Sequence, residues 1–185
     1  KGNITLLWVQ LDVTGGKLTT TTMSQRYVSG AGWQPSQPVA PAIVEPTGFI
    51  ATPMLAVNEN GVAAAMWAEG GAALQVSVSD ASGNWGPLQR LTEHLNGAAI
   101  QYPPLVVDAG GNVTAAWQDT GLPGASAVVA ASYRKGAWSA STVAPQSASW
   151  PALAVNATGA MALLWQSYVA TIGSQIQASF YTPGT

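Results

Sequence analysis

Few side chains in this sequence of 185 residues could carry out chemistry on a substrate. It has no cysteine and one histidine, His94, which excludes thiolate nucleophiles and metal sites built from several histidines. Its eight acidic residues could include the pair of carboxylates that a glycosidase places roughly 5–9.5 Å apart. The sequence does not show which two would converge, and it has no G-x-S-x-G element. We therefore assign no catalytic residue, no metal and no cofactor.

A polar side chain stands two residues after each of four tryptophans that recur along the chain. These polar residues are Gln10, Glu69, Asp119 and Ser167. Aromatic residues stand near the starts of the following repeats, at Phe49, Tyr102 and Trp150. Aromatic rings stack on the C–H faces of sugars, while carboxylate and amide oxygens accept hydrogen bonds from hydroxyl groups. The predicted ligand-binding residues are Gln10, Glu69, Tyr102, Asp119 and Trp150. The alternative is that the polar residues only cap strand ends.

Three stretches of the chain align without gaps and define the repeat that would position these residues. They begin at Pro53, Pro103 and Pro151, place Asn or Asp five residues later, and end on Trp fourteen residues after the proline. A shorter copy at residues 2–8, GNITLLW, keeps the spacing of six between Gly and Trp. The tryptophans recur at steps of 59, 50 and 48 residues. Repeats of about this length, with four strands each, are typical of β-propellers.

Each repeat is predicted to form a blade of four antiparallel strands. In the copy that begins at Pro53, LAVN and GVAAAMW are two strands joined by an Asx-Gly turn, and Gly83-Asn84-Trp85 opens the fourth strand. Residues 61–74 are rich in alanine and have helical propensity, which the repeat overrides. The alternative folds are a β-sandwich or another β-repeat. The recurring tryptophans are expected to pack between blades, and Trp33, Trp85 and Trp138 to cover blade edges.

The whole chain, residues 1–185, is thus predicted to be a single all-β propeller segment with blades near 1–49, 50–99, 100–148 and 149–185. The first copy lacks its first strand and the last copy lacks its fourth, which gives two complete and two partial blades. Because these missing strands belong to different blades, the segment is expected to be part of a larger propeller. The remaining blades would come from sequence outside this chain or from another chain.

Composition excludes some partners. Only 8% of the residues are charged and the net charge is −2, so no clustered basic surface exists to bind nucleic acid. The most apolar window, residues 151–173, is interrupted by polar residues such as Asn156 and Gln166, which argues against a membrane span. The low charge and the absence of cysteine are compatible with a secreted, periplasmic or cell-surface bacterial protein.

The unit P-x-L-x-V-[ND]-x-x-G…W, followed by G-x-W, resembles the repeats of secreted bacterial β-propellers, a broad group that includes sialidase-like and lectin-like propellers. The resemblance covers nearly the whole chain and implies the architecture. Sialidase-type propellers carry Asp-box turns, S-x-D-x-G-x-x-W, and the nearest match here is residues 77–85, with the Asp one place early. A sialidase would also need an arginine cluster, but the three arginines fall in predicted outer strands: Arg26, Arg90 and Arg134.

The sequence therefore favours a non-enzymatic propeller that presents a loop-rich face to a glycan or protein partner. One alternative is a sialidase-like glycoside hydrolase whose catalytic groups lie partly outside this chain. Another is a structural scaffold that spaces or assembles other domains.

Overall fold

The computed structural model describes residues 2–44, 52–70, 73–92, 103–120, 126–144 and 146–182. Within these ranges the chain forms strands and turns and contains no helix, so the predicted all-β fold is confirmed. The strands build four antiparallel sheets. The chain divides into two compact units, Lys1–Glu93 and His94–Thr185, and each unit contains two sheets. In the described part of the chain, no helix has the length and apolar character needed to span a membrane.

Sheet 1 is built on a long hairpin. Its strands are β1 (Ile4–Thr14), β2 (Lys17–Val28), β3 (Gly32–Trp33), β4 (Gln37–Pro38) and β5 (Ile43–Val44). The two-residue turn between β1 and β2 is Gly15-Gly16, with φ of +60° and +75°. Positive φ at both turn residues matches the twist of the flanking strands, which is why the hairpin continues four residues beyond Gln10.

The fourth strand predicted for sheet 1 is broken into the short segments β3, β4 and β5, which all pair with β2. Three prolines occur within this stretch, at Pro35, Pro38 and Pro41. Proline cannot donate to a strand ladder, so it interrupts an outer strand without disturbing the inner ones.

Sheet 2 is a four-stranded meander. Its strands are β6 (Met54–Val57), β7 (Ala63–Glu69), β8 (Ala73–Val78) and β9 (Gln89–Thr92). The alanine-rich segment is therefore the second strand and not a helix, as the repeat predicts. Trp85 pairs with Ser79 only as an isolated bridge, and the continuous fourth strand begins after Pro87.

Unit 2 contains sheets 3 and 4. Sheet 3 is the meander β10 (Leu105–Val107), β11 (Val113–Asp119), β12 (Ala127–Arg134) and β13 (Ala137–Ala144). Sheet 4 has three strands, β14 (Ala148–Val155), β15 (Met161–Val169) and β16 (Gly173–Tyr181). With β3 to β5 counted as one interrupted strand, the described residues give two complete and two partial blades. The predicted bounds of the blades stay a prediction, since most of the joining segments lie outside the described residues.

Adjacent sheets within each unit pack through the strands that carry the recurring tryptophans and their neighbours. In unit 1, Trp67 and Ala65 of β7 are buried against Leu7 and Val9 of β1, with Val39 closing the cluster. Trp85 extends this contact, since its Nε1 donates a 2.7 Å hydrogen bond to Ser24 Oγ of β2. The recurring tryptophan therefore packs on the preceding sheet in unit 1.

The same arrangement recurs in unit 2. Trp165 and Leu163 of β15 are buried against Ala116 of β11 and Val128 of β12 in the preceding sheet. Burying an indole removes about 150–250 Å² from water, and at roughly 25 cal/mol per Å² this makes tryptophan the main apolar contributor at each contact.

Candidate functional site

The strand that carries the recurring tryptophan in each sheet positions the polar residues singled out above. Trp67, Trp117 and Trp165 are buried in the described structure, and Trp8 is half-buried. Because side chains alternate along a strand, the residue two positions after each tryptophan projects from the same face. Three of these residues also lie at or near strand ends: Glu69, Asp119 and Ser167.

In unit 1, Glu69 is the last residue of β7 and is half-buried. Its Oε2 accepts a 2.5 Å hydrogen bond from Nε2 of Gln75, a buried residue of β8, which fixes the orientation of the carboxylate. Gln10 is placed differently, because it pairs with Thr21 within the long hairpin of sheet 1. It is exposed, and its Nε2 donates to Asp12 Oδ2 at 2.9 Å.

In unit 2, Asp119 and Trp150 lie at one edge, which we call the Asp119 edge. Asp119 ends β11, pairs with Ala127 and is buried. The backbone N–H of Ala148 donates to Ser126 O at 3.0 Å, which brings the start of β14 beside the start of β12. Trp150 follows two residues after Ala148, so the structure places both predicted residues on this edge.

Trp150 is presented by a β-bulge. The register of β14 against β15 shifts between Ser149 and Ala152, so two residues of β14 oppose one residue of β15. Trp150 has φ of +54°, in the left-handed region that non-glycine residues rarely occupy, and its side chain is 66% exposed. The backbone is thus strained in order to hold an aromatic side chain in solvent.

A second exposed aromatic residue lies on the Asp119 edge and was missed by the sequence reasoning. The backbone N–H of Tyr168 donates to Ser147 O at 3.0 Å, and its side chain is mostly exposed. It stands three residues after Trp165, so a search for aromatic residues at that spacing would have found it. Three aromatic or titratable candidates of the sequence lie outside the described residues: Phe49, His94 and Tyr102.

The arginines serve contacts within the units. Nη1 of Arg26 donates a 2.7 Å hydrogen bond to Ala81 O, which ties sheet 1 to a turn of sheet 2. The guanidinium carbon of Arg134 lies 4.9 Å from the ring centre of Tyr181, a cation–π contact between sheets 3 and 4. Arg90 lies in the outer strand β9. The three arginines therefore occupy three different sheets. In the described ranges, no cluster of three or more His, Asp or Glu side chains could hold a metal ion.

The turn at Asp80 corresponds to the degenerate Asp-box. Asp80 Oδ2 accepts a 2.9 Å hydrogen bond from Nδ2 of Asn84, and Oδ1 accepts from the backbone N–H groups of Asn84 and Ser82. The side-chain bond from Asn84, followed by its backbone bond, lowers the pKa of Asp80 below its ordinary value of 3.8. The turn is thus held by its own hydrogen bonds.

This lowered pKa gives a testable pH dependence. Because the folded pKa lies below the unfolded value, the carboxylate stabilises the fold above pH 3.8, and this contribution is lost as the pH falls through the folded pKa. We expect Asp80→Asn to be less stable than the parent chain at pH 7, with the difference shrinking in acid. Urea denaturation at pH 7 and at a pH below the folded pKa of Asp80 measures this difference in stability. An equal difference at both pH values would exclude this electrostatic origin.

The comparisons with known proteins support the fold. No family model and no curated protein matches the chain. Among solved structures, a Hadza microbial sialidase is 13% identical with a TM-score of 0.51, and the match covers 92% of this chain and 43% of the sialidase. This chain therefore spans less than half the length of that structure. The sialidase likeness supports the fold of a partial β-propeller.

Two glycoside hydrolases are more distant structural neighbours. The catalytic domain of a Coprinopsis cinerea GH62 α-L-arabinofuranosidase is 10% identical with a TM-score of 0.45, covering 93% of this chain and 71% of that one. A GH43 endo-arabinanase from Bacillus licheniformis is 10% identical with a TM-score of 0.42, covering 96% and 74%.

Proposed function

We propose that this chain is part of a carbohydrate-acting β-propeller and that the Asp119 edge binds the glycan. The observation that carries this proposal is the exposed Trp150, held by a bulge with positive φ two residues after the backbone contact of Ala148 with Ser126. Left-handed backbone at a non-glycine residue costs about 1–3 kcal/mol, and an exposed indole returns little of this in packing. Such a cost is expected where the side chain has a use outside the fold.

The chemistry of this edge suits a sugar. The exposed ring of Trp150 can stack on the C–H face of a pyranose or furanose. A carboxylate accepts hydrogen bonds from hydroxyl groups and forms stronger bonds than a neutral acceptor does. Asp119 supplies one carboxylate, and its strand partner Ala127 adjoins Ser126, which accepts the backbone hydrogen bond of Ala148.

Glycoside hydrolysis is the second candidate, and it is suggested by the structural likeness to a sialidase. Hydrolysis by the common mechanisms needs two carboxylates that flank the bond. Asp108, the other described acid of unit 2, lies in the turn between β10 and β11, at the end of β11 far from Asp119. Its carboxylate accepts hydrogen bonds of 2.8 Å from the backbone and side-chain nitrogens of Asn112. The second carboxylate would therefore have to come from outside the described part of unit 2. Both candidate functions are compatible with secretion from a bacterial cell. The resemblance of the repeat to those of secreted bacterial β-propellers suggests such secretion.

The test is glycan binding by variants of the Asp119 edge. A glycan array followed by titration calorimetry should identify a ligand of the parent chain. We expect Trp150→Ala and Asp119→Asn each to weaken binding at least tenfold, which corresponds to about 1.4 kcal/mol. Asp108→Asn is the matched control, because Asn occupies the same turn position at Asn58 and Asn156. It should bind as the parent does.

Each outcome separates the candidates. Binding without turnover of chromogenic sialosides and arabinofuranosides would support a binding domain. Turnover that Asp119→Asn abolishes and Asp108→Asn leaves intact would support the hydrolase. A folded parent chain that binds no glycan would contradict the proposal and leave the scaffold hypothesis.

A further inference from the structure

The contacts between sheets within each unit follow one positional rule. The strand that carries the recurring tryptophan presents it, together with the residue two before it, to the preceding sheet. We call the face of the sheet on which these two side chains lie the leading face. Examples are Trp67 with Ala65 in sheet 2 and Trp165 with Leu163 in sheet 4. The preceding sheet receives it on its trailing face, which in sheet 3 includes Ala116 and Val128.

The trailing face of sheet 4 has the same pattern but is uncovered. The register places Leu164 at the position of Ala116, one residue before the tryptophan. It places Ile176 at the position of Val128, since these residues pair with Gln166 and Gln118 respectively. Val128 is fully buried, whereas Ile176 is 71% exposed. Sheet 4 therefore carries an apolar contact position that lacks its cover.

Further apolar side chains enlarge this surface. On the same face of sheet 4, Phe180 is 78% exposed and Tyr168 is also mostly exposed. Alternation along β15 and β16 places these residues on one face together with Gln166, Ser174 and Ala178. None of these seven residues is charged, and a contiguous exposed apolar patch of this kind marks a protein contact.

The leading face of sheet 1 is the counterpart. Ile4, Leu6 and Trp8 occupy the positions of Ala63, Ala65 and Trp67, which are buried in sheet 2. Leu6 is 43% exposed and Ile4 is similarly exposed, while Trp8 is half-buried. Among the described residues, the leading face of sheet 1 in unit 1 and the trailing face of sheet 4 in unit 2 are therefore both uncovered.

We propose that a second copy of this chain binds head to tail, with the leading face of sheet 1 of one copy on the trailing face of sheet 4 of the other. The occupant follows from the contacts already present. Each unit contains one leading face packed on one trailing face, and the two uncovered faces repeat those positions with larger apolar side chains. Trp8 of the second copy takes the place against Leu164 and Ile176 that Trp165 takes against Ala116 and Val128.

Sedimentation velocity over a range of concentrations tests the proposal with the full chain. We expect the parent to self-associate reversibly, and Leu6→Glu or Ile176→Glu to be monomeric when measured alone. Gln177→Glu is the matched control, because Gln177 is exposed and lies one residue along β16 on the opposite face. It should associate as the parent does. Far-UV circular dichroism checks folding, and Leu6→Ser and Ile176→Ser replace any variant that fails to fold.

Mixing the two variants gives the decisive result. Each retains the one face that the other has lost, so an equimolar mixture of Leu6→Glu and Ile176→Glu should form a dimer that neither forms alone. A mixture that stays monomeric would overturn the proposal. Self-association of Leu6→Glu alone would overturn it too, since two trailing faces would then be in contact. A parent chain that is monomeric at every concentration would overturn the proposal as well.

Discussion

Replacing Trp67 with alanine is expected to destabilise unit 1 by about 3–5 kcal/mol. The side chain is 2% exposed and lies where sheet 2 packs on Leu7 and Val9 of sheet 1. Its removal leaves a cavity between the two sheets of unit 1. The cost of this cavity adds to the apolar contacts that are lost with the indole. Urea denaturation followed by far-UV circular dichroism measures the loss.

Trp33→Ala is the matched control for this prediction. Trp33 is also a tryptophan of unit 1, but it is 50% exposed and makes an edge-on contact with Tyr27 at 5.5 Å. Such an aromatic pair contributes about 0.5–1.5 kcal/mol, so this variant should lose much less stability. Similar losses in both variants would contradict the assignment of the recurring tryptophan as the main contact between sheets.

A milder substitution probes the indole N–H. Nε1 of Trp67 is buried and has no hydrogen-bond partner among the described residues. Leaving a buried donor without a partner costs about 1–3 kcal/mol. Trp67→Phe should therefore cost clearly less than Trp67→Ala, because it keeps most of the apolar volume and removes that donor.

The repeat was sufficient to predict the fold because the contacts between sheets are made by the residues that define it. The tryptophan fourteen residues after each proline is the residue that packs on the preceding sheet in both units. For the same reason the repeat outweighed the helical propensity of residues 61–74. Ala63, Ala64 and Ala65 are buried in β7, where a small side chain lets a neighbouring sheet approach closely.

The candidate site was less predictable, since it depends on local departures from the repeat. The repeat placed Asp119 at a strand end, but the long hairpin of sheet 1 moved Gln10 into the middle of a strand. The bulge that exposes Trp150 is an extra residue in β14, and the spacing from Pro151 to Trp165 does not reveal it. Tyr168 stood at a spacing that the search for polar residues passed over.

Gly61→Ala is expected to destabilise unit 1 by about 2–3 kcal/mol, because the added Cβ meets both an unfavourable backbone conformation and a steric clash. Gly61 has φ of +88°, and this backbone costs an L-residue about 1–2 kcal/mol. A Cβ at this position would also lie 2.5 Å from Nη2 of Arg26 and 3.3 Å from Ala81 O. Arg26 would have to move and give up its 2.7 Å hydrogen bond to Ala81, a loss of about 1 kcal/mol.

Two comparisons separate the strain from the clash. Gly30 has a similar φ of +83°, but a Cβ there would meet nothing within 4 Å, so Gly30→Ala should show the backbone cost alone. In an Arg26→Ala background the clash is removed, and Gly61→Ala should then cost about as much as Gly30→Ala. If Gly61→Ala cost the same in both backgrounds, Arg26 would not be held against this turn. The expectation that the contact with Arg26 adds to the backbone cost at Gly61 would then be wrong.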